Sequence, residues 1–496
     1  MDEYTQRILR SALGGLLHDP FTSATSLLPH WEFEKALERE LSLSKDQLRL
    51  ALALLASVPL GLGIRLCRGT SVRHLYALLT GAGLLYYTFG NGCLHAAIPA
   101  ALTYLIMALM PRSCAAPVWI LNFGYLIWLH VISCMGDSYE PGAMDFTGAE
   151  MVLVLKLISL ATCYQDARRL KKEAMTAFQA EHAVQQLPGP LAYSAYVLAL
   201  GNLLAGPYLE FTDYRDFIHL KGVWDPGAAR PVPPAWQPGL VCLAKAAFFM
   251  AAYMYLTPRL GWPVLFTPWY SQLAFPLRCV VQFAAGVTSQ FKYCFAWTLS
   301  EASLTAAGLN FSGWDTASGR PLWGRYANIH FFRLMLVDSG RLVPQHWNIV
   351  TGQFLRRYVY ERLTRAGRKP GFSQLLCTQL TSALWHGLSG GHFLFFASTA
   401  LAVRSSHVVY SLEQRVLPPG LVRSGVWWLA KVVWTQYLIN YLVLAFHIMS
   451  VPRSLQAWAS TYFWAHVVIL LTCFVVGPLV PRSSRRSGGR DAVKTE

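Results

Sequence analysis

The stretch SALWHGLSGGHFLFF, residues 382–396, lies inside a longer apolar run from Leu375 to Val403. It carries two histidines, His386 and His392, beside Gly387, Gly390 and Gly391. A polar ring taken out of water costs free energy unless a partner satisfies it. Inside a bilayer, an ionisable side chain is rare and marks a functional site by default. Whether this run is membrane or globular core therefore decides both the fold class and the meaning of the histidines.

Composition points to the membrane. Of 496 residues, 54% are hydrophobic and only 14% charged, against about 25% charged in ordinary soluble chains. Apolar runs recur at Leu48–Ile64, Leu75–Phe89, Leu94–Met110, Ala116–Met135, Met151–Tyr164, Tyr193–Leu209, Leu240–Leu256 and Phe275–Leu299. Val426–Met449 and Trp458–Val480 follow the run at 375–403. A helix needs about 20 residues to cross the hydrocarbon. The pattern predicts an all-α integral membrane protein, a bundle of roughly ten to twelve transmembrane or re-entrant helices. Residues 1–47 read as a polar N-terminal arm, 48–480 as the membrane domain, and 481–496 as a basic, disordered tail. The start, MDEYTQRILR, lacks the basic-then-apolar pattern of a secretory signal.

Lys and Arg outnumber Asp and Glu by 42 to 26, a net charge of +16. No basic domain stands apart from the apolar runs, so nucleic acid is not the expected partner. Cytosolic loops explain the excess: Arg168, Arg169, Lys171 and Lys172, then 356–369 and 482–490. The ten cysteines are scattered without a CxxC and predict neither a disulfide framework nor a zinc site.

Between the spans, 167–190 reads as helical until Pro188, and 221–239 as an irregular Pro/Gly loop. The segment 310–372 shows no clear span but is too aromatic for a featureless loop. Within it NIVTGQFLRRYVYERLTR predicts a helix with Leu355, Val359 and Leu363 on one side and Arg357 and Glu361 turned away. It either lies at the interface or carries a reactive site to the membrane core. Asn310-Phe311-Ser312 forms a glycosylation sequon.

Of fourteen histidines, His95, His130, His386, His392, His447 and His466 fall in apolar runs. A lone histidine there is more often a satisfied packing residue than a catalyst. His386 differs in its surroundings: Trp385 before it, three nearby glycines after it, and Thr378, Thr381 and Ser382 one to two turns back. Glycine permits close backbone approach and departure from regular helix. The spacing of HGLSGGH does not put both rings on one helical face, and HExxH, GxSxG, Walker and GxGxxG patterns are absent. Proton transfer by a neutral imidazole is the role that remains.

PQHWNIVTGQFLRRYVYERL (344–363) together with TSALWHGLSGGHFLFF (381–396) is similar to the signature of the membrane-bound O-acyltransferases, and within them to the lysophospholipid acyltransferase branch of plants and yeasts. LKLISLATCYQDA, NLLAGPYLEFTDYRDF and QFKYCFAWTLSEASLTAAGLNFSGWD add to the resemblance, which runs from about Gln47 to about Val480. The sterol and diacylglycerol branch carries an FYxDWWN-like block where this chain reads LVPQHWN. Cys163 is a departure, standing where relatives are expected to carry Asn.

The resemblance implies a catalytic chamber with His386 as catalytic base and Asn348 as its helper. It implies acyl-CoA and a lysophospholipid as substrates, with no cofactor and no metal. It implies transfer to the free sn-2 hydroxyl of a lipid such as lysophosphatidylcholine or lysophosphatidylethanolamine, in a multi-pass protein of the endoplasmic reticulum membrane. Candidate substrate contacts are Trp385, Tyr293, Trp297 and Glu301, with Arg356, Arg357 and Arg362 for the CoA phosphates. Two alternatives stay open: acylation of a protein or peptide by the same chemistry, and a proton-coupled transporter. Transporters often show internal repeats, and none is visible here.

Overall fold

Ser44 starts the first long helix by a capping box: its hydroxyl accepts from the Gln47 N–H, and the Gln47 carboxamide accepts from the Ser44 N–H. The computed structural model describes residues 19–21, 28–41, 43–135, 145–199, 202–364 and 370–481. The expected tail from Arg482 and much of the N-terminal arm lie outside them. Glu32–Leu41 (α1) precedes Lys45–Gly63 (α2), Thr70–Phe89 (α3), Ala97–Leu109 (α4), Ala115–Met135 (α5) and Thr147–Arg169 (α6). Then come Pro190–Leu198 (α7), Trp236–Leu260 (α8) and Phe275–Ala307 (α9). A hairpin of Phe311–Trp314 (β1) and Pro321–Trp323 (β2) follows, paired antiparallel. Ile349–Phe354 (α10), Phe372–His386 (α11), Gly390–Arg415 (α12), Gly425–Ile448 (α13), Val451–Ala459 (α14) and Trp464–Leu471 (α15) complete the set used below.

Among the described residues, seven helical stretches are long and apolar enough to cross a bilayer, or eight if the bent pair built from α14 and α15 counts as one span. The chain is thus a multi-pass, all-α membrane protein. The long α9 is the packing axis, lying against α2, α8 and α13. At Gly286 the approach to α13 is so close that a Cβ would overlap the Asn440 backbone. One turn on, Gln290 Nε2 donates to Asn440 Oδ1 at 2.7 Å. Small residues and interhelical amides are the usual glue where water supplies no driving force.

Three expected continuous runs are broken. The run Tyr193–Leu209 stops being helix at Leu198. There Lys156, wholly buried on α6, donates to Val197 O at 3.0 Å and Asn202 Oδ1 at 2.9 Å, replacing the bonds the helix end lacks. The run Trp458–Val480 bends by 86° between α14 and α15, where Tyr462 and Phe463 adopt positive φ. The run Leu375–Val403 parts after His386, because Gly387 sits at φ 130°. Ser389 then opens α12, its hydroxyl accepting from the His392 N–H.

The stretch 167–190 is not one helix to Pro188. It leaves α6 at Leu170 and keeps two short helical turns, Lys172–Ala174 and Ala177–Glu181. In 349–364 the helix exists but its buried face differs from the expected one. α10 passes into a π-helical turn, Leu355–Tyr360, which shifts the register. Val350, Phe354 and Tyr358 turn inward with Val359, while Leu363 is exposed. The sequon residue Asn310 is buried, its Nδ2 donating to Thr305 Oγ1 and Glu301 Oε1 and its Oδ1 accepting from Tyr326 N–H. That leaves no room for a glycan.

Candidate active site

His386 is the last residue of α11, at the break the glycine creates. Aromatic rings hold it: Phe396 stacks at 5.4 Å, Phe446 meets it edge-on at 4.8 Å, and Trp385 at 4.6 Å. Its imidazole makes no hydrogen bond to any described residue. The other intramembrane histidines sort by the same criterion. His95 bonds Tyr125 Oη at 2.8 Å and Asp19 at 3.2 Å, His130 bonds Trp385 O at 3.1 Å, and His466 bonds Tyr441 Oη at 2.8 Å and Ser398 Oγ at 3.2 Å. Those three are satisfied packing residues. His392 is buried against Phe446 with its Nδ1 unpaired.

His386 and Asn348 line one chamber of about 220 Å³. Tyr293 and Trp297 of α9 form one wall, Ser382 and Gln379 of α11 another, and Phe396, Phe446 and His447 of α12 and α13 close it. A cleft of about 510 Å³ between α3, α4 and α7 is larger, but alanines, leucines and tyrosines line it and it holds no acid–base pair. Chemistry, not size, selects the smaller chamber.

Asn348 stands in the left-handed region, φ 47° and ψ 48°, as the residue before α10. Asparagine tolerates that region better than most residues. Its orientation follows from a neighbour the sequence did not single out. Asn328 is buried; its Oδ1 accepts from Val350 N–H at 3.0 Å and its main-chain oxygen from Ile349 N–H at 3.1 Å. With its oxygen so occupied, Asn328 Nδ2 faces Asn348 and donates to Asn348 Oδ1 at 3.2 Å. The Asn348 Nδ2 is thereby left as a donor beside the chamber. An antiparallel bridge between Ile329 and Trp347 locks the two segments together.

The remaining candidates divide. Tyr293 and Trp297 line the chamber, and Trp297 packs on Trp347 at 5.0 Å. Trp385 instead points away, its indole N–H donating to Met151 O at 2.8 Å. Glu301 faces a separate cleft with Lys245 and Arg320 and accepts from Asn310. Arg362 grips Asp166 through both guanidinium nitrogens, so it ties the 355–364 segment to α6. Arg357 lies over the Phe178 ring at 4.0 Å, with Glu210 at 3.9 Å. Arg356 is the open one, its side chain 75% exposed beside Glu361. Cys163 is buried with its sulfur hydrogen-bonded to Tyr358 Oη at 3.2 Å, under the π turn. Among the described residues no three His, Cys, Asp or Glu side chains converge as a metal-ligand set.

A mobile-proton group without a bonded partner, a fixed amide donor and an apolar surround make an arrangement suited to acyl transfer between lipid-soluble reactants. Sequence comparison agrees with it. The sequence model of the membrane-bound O-acyltransferase family matches residues 131–418, which include both His386 and Asn348. "Lysophospholipid acyltransferase 1" of Arabidopsis thaliana is 36% identical over 434 residues, covering 86% of this chain and 94% of that protein. "Lysophospholipid acyltransferase" of Schizosaccharomyces pombe is 29% identical, covering 88% and 87%. Human "Membrane-bound glycerophospholipid O-acyltransferase 1" is 28% identical, covering 84% of each. With the apolar helices and the matched site block, these place the chain in the membrane-bound O-acyltransferase family.

Proposed function

We propose that this protein is a lysophospholipid acyltransferase that moves a fatty acyl group from acyl-CoA to the free sn-2 hydroxyl of a lysophospholipid, in the endoplasmic reticulum membrane. The observation that carries the reading is the single chamber shared by the unbonded His386 imidazole and the free Asn348 Nδ2. The names of the relatives support the substrate class.

The acceptor hydroxyl is a poor nucleophile until a base takes its proton. His386 removes that proton as the oxygen attacks the thioester carbonyl. Asn348 Nδ2 donates to the oxyanion of the tetrahedral intermediate. The C–S bond then breaks, and protonated His386 returns the proton to the CoA thiolate. A thioester is already activated, so no covalent enzyme intermediate is needed. The aromatic wall of Phe396 and Phe446 excludes water that would otherwise hydrolyse the donor.

The test is to incubate purified protein with acyl-CoA and a panel of lysolipids and peptides, following products by mass spectrometry and free thiol by colorimetry. Phospholipid formed in step with thiol is the expected result. Acylated peptide without phospholipid, or no thiol release, overturns it.

Asn328 gives a finer test of the mechanism. Asn328→Asp keeps the acceptor for Val350 N–H but removes the donor to Asn348, so the Asn348 amide turns and presents oxygen to the chamber. The expected outcome is a kcat lowered about tenfold or more with KM little changed. Asn328→Ala strands both partners, costs ~1–3 kcal/mol for each buried group left unpaired, and lowers the melting temperature as well.

Arg356 and Arg357 are proposed to meet the CoA phosphates, since they border the Asn348 block and Arg356 is exposed, paired at 2.8 Å only with the exposed Glu361. Replacing both by Ala raises KM for acyl-CoA about tenfold and leaves KM for lysolipid nearly unchanged. Arg362→Ala, by contrast, leaves Asp166 with the Gln179 amide but without its Arg362 counter-ion, and is read as lost thermal stability.

A further inference from the structure

Lys292 sits in the middle of α9, between Phe291 and Tyr293. Three other cations set among the helices are partnered. Arg49 holds Glu34 at 2.9 Å, Lys431 holds Asp338 and Glu413 at 2.8 Å each, and Lys156 has Val197 O and Asn202. Lys292 pairs with no carboxylate among the described residues. Its side chain is exposed rather than packed away. Its Nζ lies 5.0 Å from the ring centroid of Tyr293, a chamber wall residue. It is also near enough to interact electrostatically with His447, another wall residue, whose neighbour Phe446 packs on His386. No residue lining the chamber carries a carboxylate.

An unpaired ammonium at the edge of an apolar, carboxylate-free chamber is a site for an anion that arrives with an apolar tail. Resting on the acyltransferase reading above, we infer that Lys292 binds the phosphate ester of the acceptor lipid and so sets the reacting hydroxyl against His386. Two substrates bring phosphate. In a lysophospholipid only the C2–C3–O link separates the phosphorus from the sn-2 oxygen, so its phosphate must lie close to the reacting centre. In acyl-CoA the whole pantetheine arm intervenes, and its phosphates lie well away from the thioester. A cation beside the chamber wall suits the first. Lys292 so placed favours an amphiphile with a phosphate over a neutral one, a choice the histidine and asparagine cannot make.

The test compares Lys292→Gln and Lys292→Arg with the parent protein. Ligand-induced thermal stabilisation is measured with lysophosphatidylcholine, with monoacylglycerol as the uncharged analogue, and with acyl-CoA; turnover is measured in parallel. Lys292→Gln should raise KM for lysophosphatidylcholine about tenfold or more and abolish its stabilising effect. The responses to monoacylglycerol and acyl-CoA should not change, and Lys292→Arg should restore binding. A loss confined to acyl-CoA assigns the lysine to CoA phosphate and overturns the inference. So does an equal loss for charged and uncharged acceptors, which marks a structural or oxyanion role, or no loss at all. If the parent protein acylates no lysolipid, the acyltransferase reading has failed; if it does and Lys292→Gln behaves identically, only this inference has.

Discussion

His386→Ala inserts, folds and loses acyl transfer by about 10²–10⁴-fold, the range general-base help supplies. The loss is chemical because the imidazole bonds to no described protein group, so its removal strands no hydrogen-bond partner. What disappears structurally is ring packing against Phe396 and Phe446, a deficit that lowers stability without unmaking the helix break. That break is held by Gly387 at φ 130° and by the Ser389 cap, neither of which the substitution touches. The control is His392→Ala. His392 contacts the same Phe446 at 4.6 Å, so it reports the cost of emptying this aromatic cluster. It should keep turnover within about tenfold of the parent, since no proton transfer is assigned to it. Melting temperature in detergent is measured for both, and kcat for both at saturating substrates. A well-folded His386→Ala that turns over within about tenfold of the parent disproves the assignment. His447, the other chamber-lining imidazole without a described hydrogen bond, then becomes the base.

Asn348→Gly lowers kcat by about 10²–10³-fold, the usual cost of one oxyanion donor, while the fold stays intact. Glycine is the clean replacement because Asn348 holds φ 47° and ψ 48°. An alanine there pays roughly 1–2 kcal/mol of left-handed strain, which would blur a chemical loss with a structural one. Glycine removes only the carboxamide. Asn328 keeps its bonds to Ile349 and Val350, so α10 still starts in place. KM for both substrates should move little, because the lost bond forms in the transition state rather than on binding. A kcat within about threefold of the parent would show that Asn348 merely shapes the turn.

Part of this site could be read without coordinates. His386 in WHG stood out as a candidate because a polar residue in an apolar run is expensive and therefore informative, whereas Asn348 in HWN entered only through the family resemblance. The same cost falls on His95, His130 and His466, and there it marks packing, as expected of a lone histidine: Tyr125, Trp385 O and Tyr441 satisfy them. Those partners are 30, 255 and 25 residues away in sequence, so no local pattern announces them. Asn328 escaped notice for the same reason. It is an unremarkable polar residue twenty positions before Asn348, and only the folded bridge at Ile329–Trp347 brings it there. Arg362 erred in the opposite direction. A basic residue in a basic segment reads as a ligand contact, yet Asp166 on α6 already occupies it.

The sequence by itself determined the class of the protein and the positions of most spans, because apolar pattern and length are local properties of the chain. It determined the broken helix at Gly387 in outline, since three glycines around a histidine argue against a regular span. Tertiary structure alone decided which histidines bond to no described residue, which way the Asn348 amide points, where α7 ends on Lys156, and that Lys292 pairs with no carboxylate among the described residues. Each of these depends on which hydrogen-bond partner or charge another helix presents. In a membrane interior, with no water to supply a substitute, that distant partner decides whether a polar group is structure or chemistry.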